Sequence, residues 1–113
     1  MSEPLFSAID VEELYKVAQS APRLHFLDVR EVDEFQDCHA PSSRNVPLSL
    51  IMEGRAGEEL RMPKDDSVYL ICRSGRRSAS ACELLSHQGF TRLFNVLGGM
   101  EAWKGAGLPI ARI

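Results

Sequence analysis

Along the chain, short runs of apolar residues alternate with segments whose apolar residues recur at helical spacing. Three runs predict buried strands: Leu24–Val29 (LHFLDV), Val68–Cys72 (VYLIC) and Leu93–Val96 (LFNV). Shorter strands are expected through Arg44–Val46 and near Leu5–Ala8. The first helix is expected over Val11–Gln19, with Leu14, Val17 and Ala18 on its apolar face. Asp10 is its N-cap, and Glu13 three residues on completes a capping-box pattern. Glu31–Asp37 reads as a short acidic helix and Leu48–Glu53 as another. Arg55–Asp66 is polar, contains Gly57 and Pro63, and reads as an exposed loop. The clearest helix runs over Arg76–Gln88, where Ala81, Leu84, Leu85 and Gln88 share one face. Gly89 follows at the position that favours a left-handed residue, and Phe90 folds back on the last turn. Gly99–Ala106 forms a last helix carrying Trp103.

Strands that alternate with helices predict an α/β domain: a largely parallel five-stranded sheet with helices on both faces and right-handed crossovers. Length fits one domain over 1–113, with a core of about 5–110. In such sheets, sites lie beyond the carboxyl ends of the strands. Asp28–Arg30, Cys72–Arg77 and Leu97–Gly99 each follow a strand and are expected at that edge. Cys38 and His39 precede a strand and are expected at the opposite one.

Composition narrows the function classes. Hydrophobic residues make up 44% and charged residues 26%, an ordinary globular balance, and the net charge is −3. No general attraction to nucleic acid or an anionic membrane follows. The first ten residues lack the basic and apolar regions of a signal peptide, and no stretch is long and apolar enough to span a bilayer. Cys38, Cys72 and Cys82 are odd in number and contain no Cys-x-x-Cys pair. They fit neither a disulfide framework nor a zinc site, and point to reduced thiols in a cytoplasmic compartment. The three histidines are scattered, so a metal cluster is not expected.

The chemistry concentrates in Cys72-Arg73-Ser74-Gly75-Arg76-Arg77-Ser78. A strand ends on Cys72, a tight loop turns through Gly75, and a helix begins about four residues after the cysteine. Backbone N–H groups of such a loop form an anion nest, and the helix N-terminus adds partial positive charge. Arg73, Arg76 and Arg77 add full charges at the rim. All of this favours a thiolate. Lowering a cysteine pKa from ~8.5 to ~6.5 raises the ionised fraction at neutral pH from about 3% to about 75%, worth ~2.7 kcal/mol. A lone cysteine after an apolar run is ordinarily a small buried hydrophobe. The arginines, the glycine and the following helix are what give Cys72 a chemical reading. Cys82, on the helix, and Trp103 read as core.

CRSGRRS, residues 72–78, resembles the active-site loop of the rhodanese (thiosulfate sulfurtransferase) family. Leu27-Asp28-Val29-Arg30 with Glu34-Phe35, His39 with Asn45-Val46-Pro47, and Leu97-Gly98-Gly99 with Ala102-Trp103 and Gly107-Leu108-Pro109 resemble its other motifs, in order. The resemblance implies a Cys72 persulfide, formed from a small anionic donor such as thiosulfate and passed to a thiol, cyanide or an acceptor protein. Arg73, Ser74, Gly75, Arg76, Arg77 and Ser78 would bind the donor and the carried sulfur. Asp28 and Arg30 read as a pair that fixes the loops, and Glu34 as a further partner of Arg30. A monomer is the default. Where the family has glycine, this chain has Cys38, which is expected to strain the backbone. Two rivals remain. A cysteine phosphatase or arsenate reductase needs arginine six positions after cysteine, where this chain has Ser78. A regulatory protein-binding module would not need the intact loop.

Overall fold

The three apolar runs form the middle of the sheet. In the computed structural model, which describes residues 4–21, 24–54 and 61–113, the strands are β1 (Ser7–Ile9), β2 (His25–Asp28), β3 (Arg44–Asn45), β4 (Ser67–Ile71) and β5 (Arg92–Val96). They lie in the order β1-β5-β4-β2-β3, and every pair is parallel. Leu70 of β4 stands opposite Leu27 of β2 and Asn95 of β5, and Asp28 stands opposite Ile71. Thus β2 and β4 end side by side. The helices among the described residues are α1 (Val11–Ser20), α2 (Val32–Asp37), α3 (Leu48–Met52), α4 (Arg76–His87) and α5 (Gly99–Gly105). Of the loop expected at Arg55–Asp66, residues 55–60 lie outside the described residues.

Strand alternation divides the core in two. Leu27, Val68, Leu70, Cys72 and Leu93 face one side, packing with Ile51 of α3 and Ala81, Cys82 and Leu85 of α4. Phe26, Tyr69, Ile71 and Val96 face the other, packing with Val11 and Leu14 of α1 and Met100 and Trp103 of α5. Cys72 continues the alternation of β4, so its side chain falls on the α4 side.

Local signals set the helix ends. The Asp10 carboxylate accepts from the Glu13 N–H at 2.8 Å, the forward half of the expected box. Glu31 and Glu34 form a complete box at α2. At the end of α4, Gly89 N–H donates to Ser86 O and Phe90 N–H to Leu85 O, both at 3.1 Å, and Phe90 is buried as expected.

Cys38 departs from both expectations. Its φ of −168° is extended backbone open to any residue, so cysteine causes no strain there. Its carbonyl accepts from Arg30 Nη2 at 2.5 Å, which ties it to the edge carrying Arg30 rather than to the opposite edge. The six-residue α2 rises only about 9 Å and has not carried the chain across the sheet. The Cys38 side chain packs on the sheet face opposite the one that holds Cys72.

Candidate functional site

Beyond the carboxyl end of β4 the chain closes on its own cysteine. Gly75 takes φ +104°, which turns the loop directly into α4. The N-cap is Gly75, which has no side chain to occupy the first amides of α4. The Gly75 N–H donates to Cys72 Sγ at 3.1 Å, and Ser78 Oγ lies 3.3 Å from the same sulfur. Burial is the largest influence on the Cys72 thiol and pushes its pKa up. Hydrogen bonding with the Ser78 side chain and with the N–H groups of Ser78, Gly75 and Ser74 outweighs it, and the pKa is held below its ordinary value. The Gly75 N–H thus faces the sulfur in the sense the expected nest requires. Cys72 is 1% exposed.

The neighbouring elements hold this loop from below. Met100 N–H donates to Cys72 O at 2.8 Å and Glu101 N–H to Arg73 O at 3.0 Å. Gly99 permits that approach: a Cβ there would stand 2.3 Å from Cys72 O. In β5, Asn95 Oδ1 accepts from Ser78 Oγ at 2.5 Å and Nδ2 donates to Gly75 O at 3.2 Å. Neither contact was expected. The signal for Asn95 was present, because an amide inside the apolar run LFNV needs a partner when buried.

Asp28 and Arg30 form the expected pair. Arg30 Nη2 reaches Asp28 Oδ2 at 2.8 Å, Nε reaches Oδ1 at 2.9 Å, and both residues are buried. Glu34 does not complete it. Its carboxylate instead accepts two bonds from Arg77, Nη1 to Oε1 at 2.7 Å and Nη2 to Oε2 at 2.9 Å. Arg77 is thus committed to α2, while Arg73 and Arg76 are exposed at the rim. A cleft of about 350 Å³ beside the loop is lined by Arg30, Glu34, Asp37, Arg73, Met100, Glu101 and Lys104.

The Glu34–Arg77 pair makes acid stability testable. The hydrogen bond to Arg77 holds the Glu34 pKa at about 2, from an ordinary value of 4.5. The unfolded state therefore binds the proton first. The pair's contribution is complete above about pH 4.5 and is lost as pH falls toward 2. Glu34→Gln keeps an acceptor for the Glu31 N–H and removes the charge. Its melting temperature is expected below wild type at neutral pH, with the gap closing through that acid window. A gap independent of pH would refute the assignment.

Cys82, buried beside Cys72, has its pKa pushed up to about 12, chiefly by burial, and is packed as expected. Trp103 is buried, and its Nε1 donates to Pro109 O at 2.8 Å.

Comparison with known proteins agrees with this architecture. Residues 10–106 match the rhodanese-like domain family. A sulfurtransferase of Allochromatium vinosum is 35% identical over 109 residues, covering 94% of this chain and 95% of that protein. A putative sulfur carrier protein of Bacillus subtilis, YrkF, is 38% identical over 97 residues, covering 86% of this chain; this chain spans only 50% of that protein. The crystal structure of a rhodanese-related protein from Thermoplasma volcanium superimposes with a TM-score of 0.75 at 31% identity, covering 93% of this chain and 97% of that one. With the ordered motifs, the all-parallel sheet and the closed cysteine loop in agreement, this chain belongs to the rhodanese-like domain family.

Proposed function

We propose that this chain is a sulfurtransferase that carries sulfane sulfur as a persulfide on Cys72. The loop turned onto one buried sulfur, with the Gly75 N–H at 3.1 Å and Ser78 Oγ at 3.3 Å, carries the reading. It stabilises negative charge where a nucleophilic sulfur needs it. The Cys72 thiolate attacks the outer sulfur of a small anionic donor such as thiosulfate. A bond forms from Sγ to that sulfur, the donor's S–S bond breaks, and its electron pair leaves with sulfite. The loop N–H groups then hold the terminal sulfur. An acceptor thiolate or cyanide attacks that sulfur and the pair returns to Sγ. Two half-reactions on one residue give ping-pong kinetics. Exposed Arg73 and Arg76 draw the anion to the loop mouth. No cofactor enters the scheme, and a reducing, cytoplasmic compartment suits the three free thiols.

The loop argues against phosphate chemistry. The sixth position after cysteine holds the fully buried Ser78, bonded to Asn95, where a phosphatase would need an arginine around a tetrahedral anion. Sulfur relay is the second reading, in which the acceptor is a protein. The name of YrkF, a putative sulfur carrier, favours it.

Intact-mass spectrometry after incubation with thiosulfate tests the proposal. The expected result is a gain of one sulfur atom, located on the Cys72 peptide and reversed by cyanide. No gain, or a gain on Cys38 or Cys82, would overturn it.

A further inference from the structure

The hydrogen bonds around Ser78 contain a competition for one proton. Asn95 is 8% exposed and lies in β5, outside the loop. Its Nδ2 faces Gly75 O at 3.2 Å. A carbonyl only accepts, so this contact decides the orientation of the amide and turns Oδ1 toward Ser78 Oγ, 2.5 Å away. Oδ1 cannot donate either, so the Ser78 hydroxyl proton lies on that contact. A serine hydroxyl has one proton. Ser78 Oγ, 3.3 Å from Cys72 Sγ, therefore presents lone pairs to the sulfur. A neutral thiol suits this arrangement, because its S–H donates to Oγ. A thiolate does not.

We infer that Asn95 is a positioning residue that holds the Ser78 hydroxyl away from Cys72 until the sulfur becomes negatively charged. On ionisation the S–H proton passes to a solvent base. The hydroxyl then turns about its Cβ–Oγ bond, leaves Oδ1 and donates to Sγ. Ser78 keeps its proton throughout, and only the S–H bond is broken. The thiolate gains a donor, and Asn95 Oδ1 loses one. Asn95 thereby opposes ionisation while bracing Gly75, whose own N–H faces the sulfur. The inference concerns ionisation alone and stands whether or not the sulfur proves to be the persulfide carrier.

The charged and titratable groups around the loop are separate from this switch. On α4 these are Arg77, paired with Glu34, and Cys82. At the end of β2 stands the Asp28–Arg30 pair. On α5, Glu101 and Lys104 lie in the cleft beyond Arg73. Asn95 carries no charge, so replacing it by a neutral residue changes none of these charges.

The test is the pH profile of iodoacetamide alkylation of the Cys72 peptide, read by mass spectrometry in the full chain. Asn95→Ala is expected to move the midpoint down by about 0.7 pH unit, the size of the neutral Ser78–Asn95 hydrogen bond that ionisation otherwise breaks. In a Ser78→Ala background the same change is expected to move it by less than a quarter of that. Asn95→Leu, which fills the space without an acceptor, serves where the alanine chain melts too early to titrate. Ser78→Ala alone is expected to raise the midpoint, because the thiolate loses its donor. A midpoint unmoved or raised by Asn95→Ala would overturn the inference. So would a fall that persists without Ser78, or a Ser78→Ala midpoint at or below wild type.

Discussion

Replacing Cys72 by serine is expected to reduce sulfur transfer from thiosulfate to cyanide by about 10³-fold or more, the scale on which removal of a covalent nucleophile acts. A hydroxyl in the same loop is held by the same amides, yet it ionises far less readily than a thiol and forms no persulfide. The substitution replaces sulfur with a smaller atom and keeps a partner for Ser78 Oγ and the Gly75 N–H. The melting temperature should therefore change little. The assay is initial rate at saturating thiosulfate, with thermal melting as the control for folding. Because Cys38 packs on the other sheet face and burial suppresses Cys82, neither should sustain residual turnover. Undiminished activity in the serine variant would mean that sulfur does not travel on Cys72.

A methyl group at Gly99 is expected to be nearly as damaging, although residue 99 bears no reactive group. A Cβ there would lie 2.3 Å from Cys72 O and 2.6 Å from Arg73 O, both backbone atoms that cannot turn aside. The residue also sits at φ +55°, where a side chain adds strain. Overpacking and backbone strain together suggest a loss of roughly 2–5 kcal/mol. Relief of the clash moves the loop or α5, which breaks the bonds from Met100 and Glu101 amides to the Cys72 and Arg73 carbonyls. Gly99→Ala should thus lower the melting temperature and the transfer rate together. Gly105→Ala is the control, since a Cβ there meets nothing within 4 Å and alanine favours a helix. If the two variants melted alike, the close approach at Gly99 would not matter.

Much of this was legible in the residues. Short apolar runs, a capping Asp10 and the glycine after α4 are local signals, and local signals set strands, helices and their ends. Glu34 feels the Arg30 charge but hydrogen-bonds to Arg77 instead, because a carboxylate on a short helix has several cations within reach. Which one it meets depends on the angle at which α4 enters, and no spacing along the chain encodes that. Cys38 misled for a related reason. Its place before β3 suggested the far edge, but the length of α2 and the reach of Arg30 keep its carbonyl near the site.

By itself, the sequence determined that Cys72 follows a buried apolar strand, that a loop turns at Gly75 into a helix, and that Ser78 rather than arginine holds the sixth position. Those facts depend on neighbours within a few residues. Only the tertiary structure decided what surrounds the sulfur: Asn95 from β5 on the Ser78 hydroxyl, α5 amides under the loop carbonyls, and Arg77 bound to α2. These contacts join residues 17 to 43 positions apart. They form because parallel pairing brings the ends of β2, β4 and β5 to one edge, where the buried polar groups of each loop must find partners in the others.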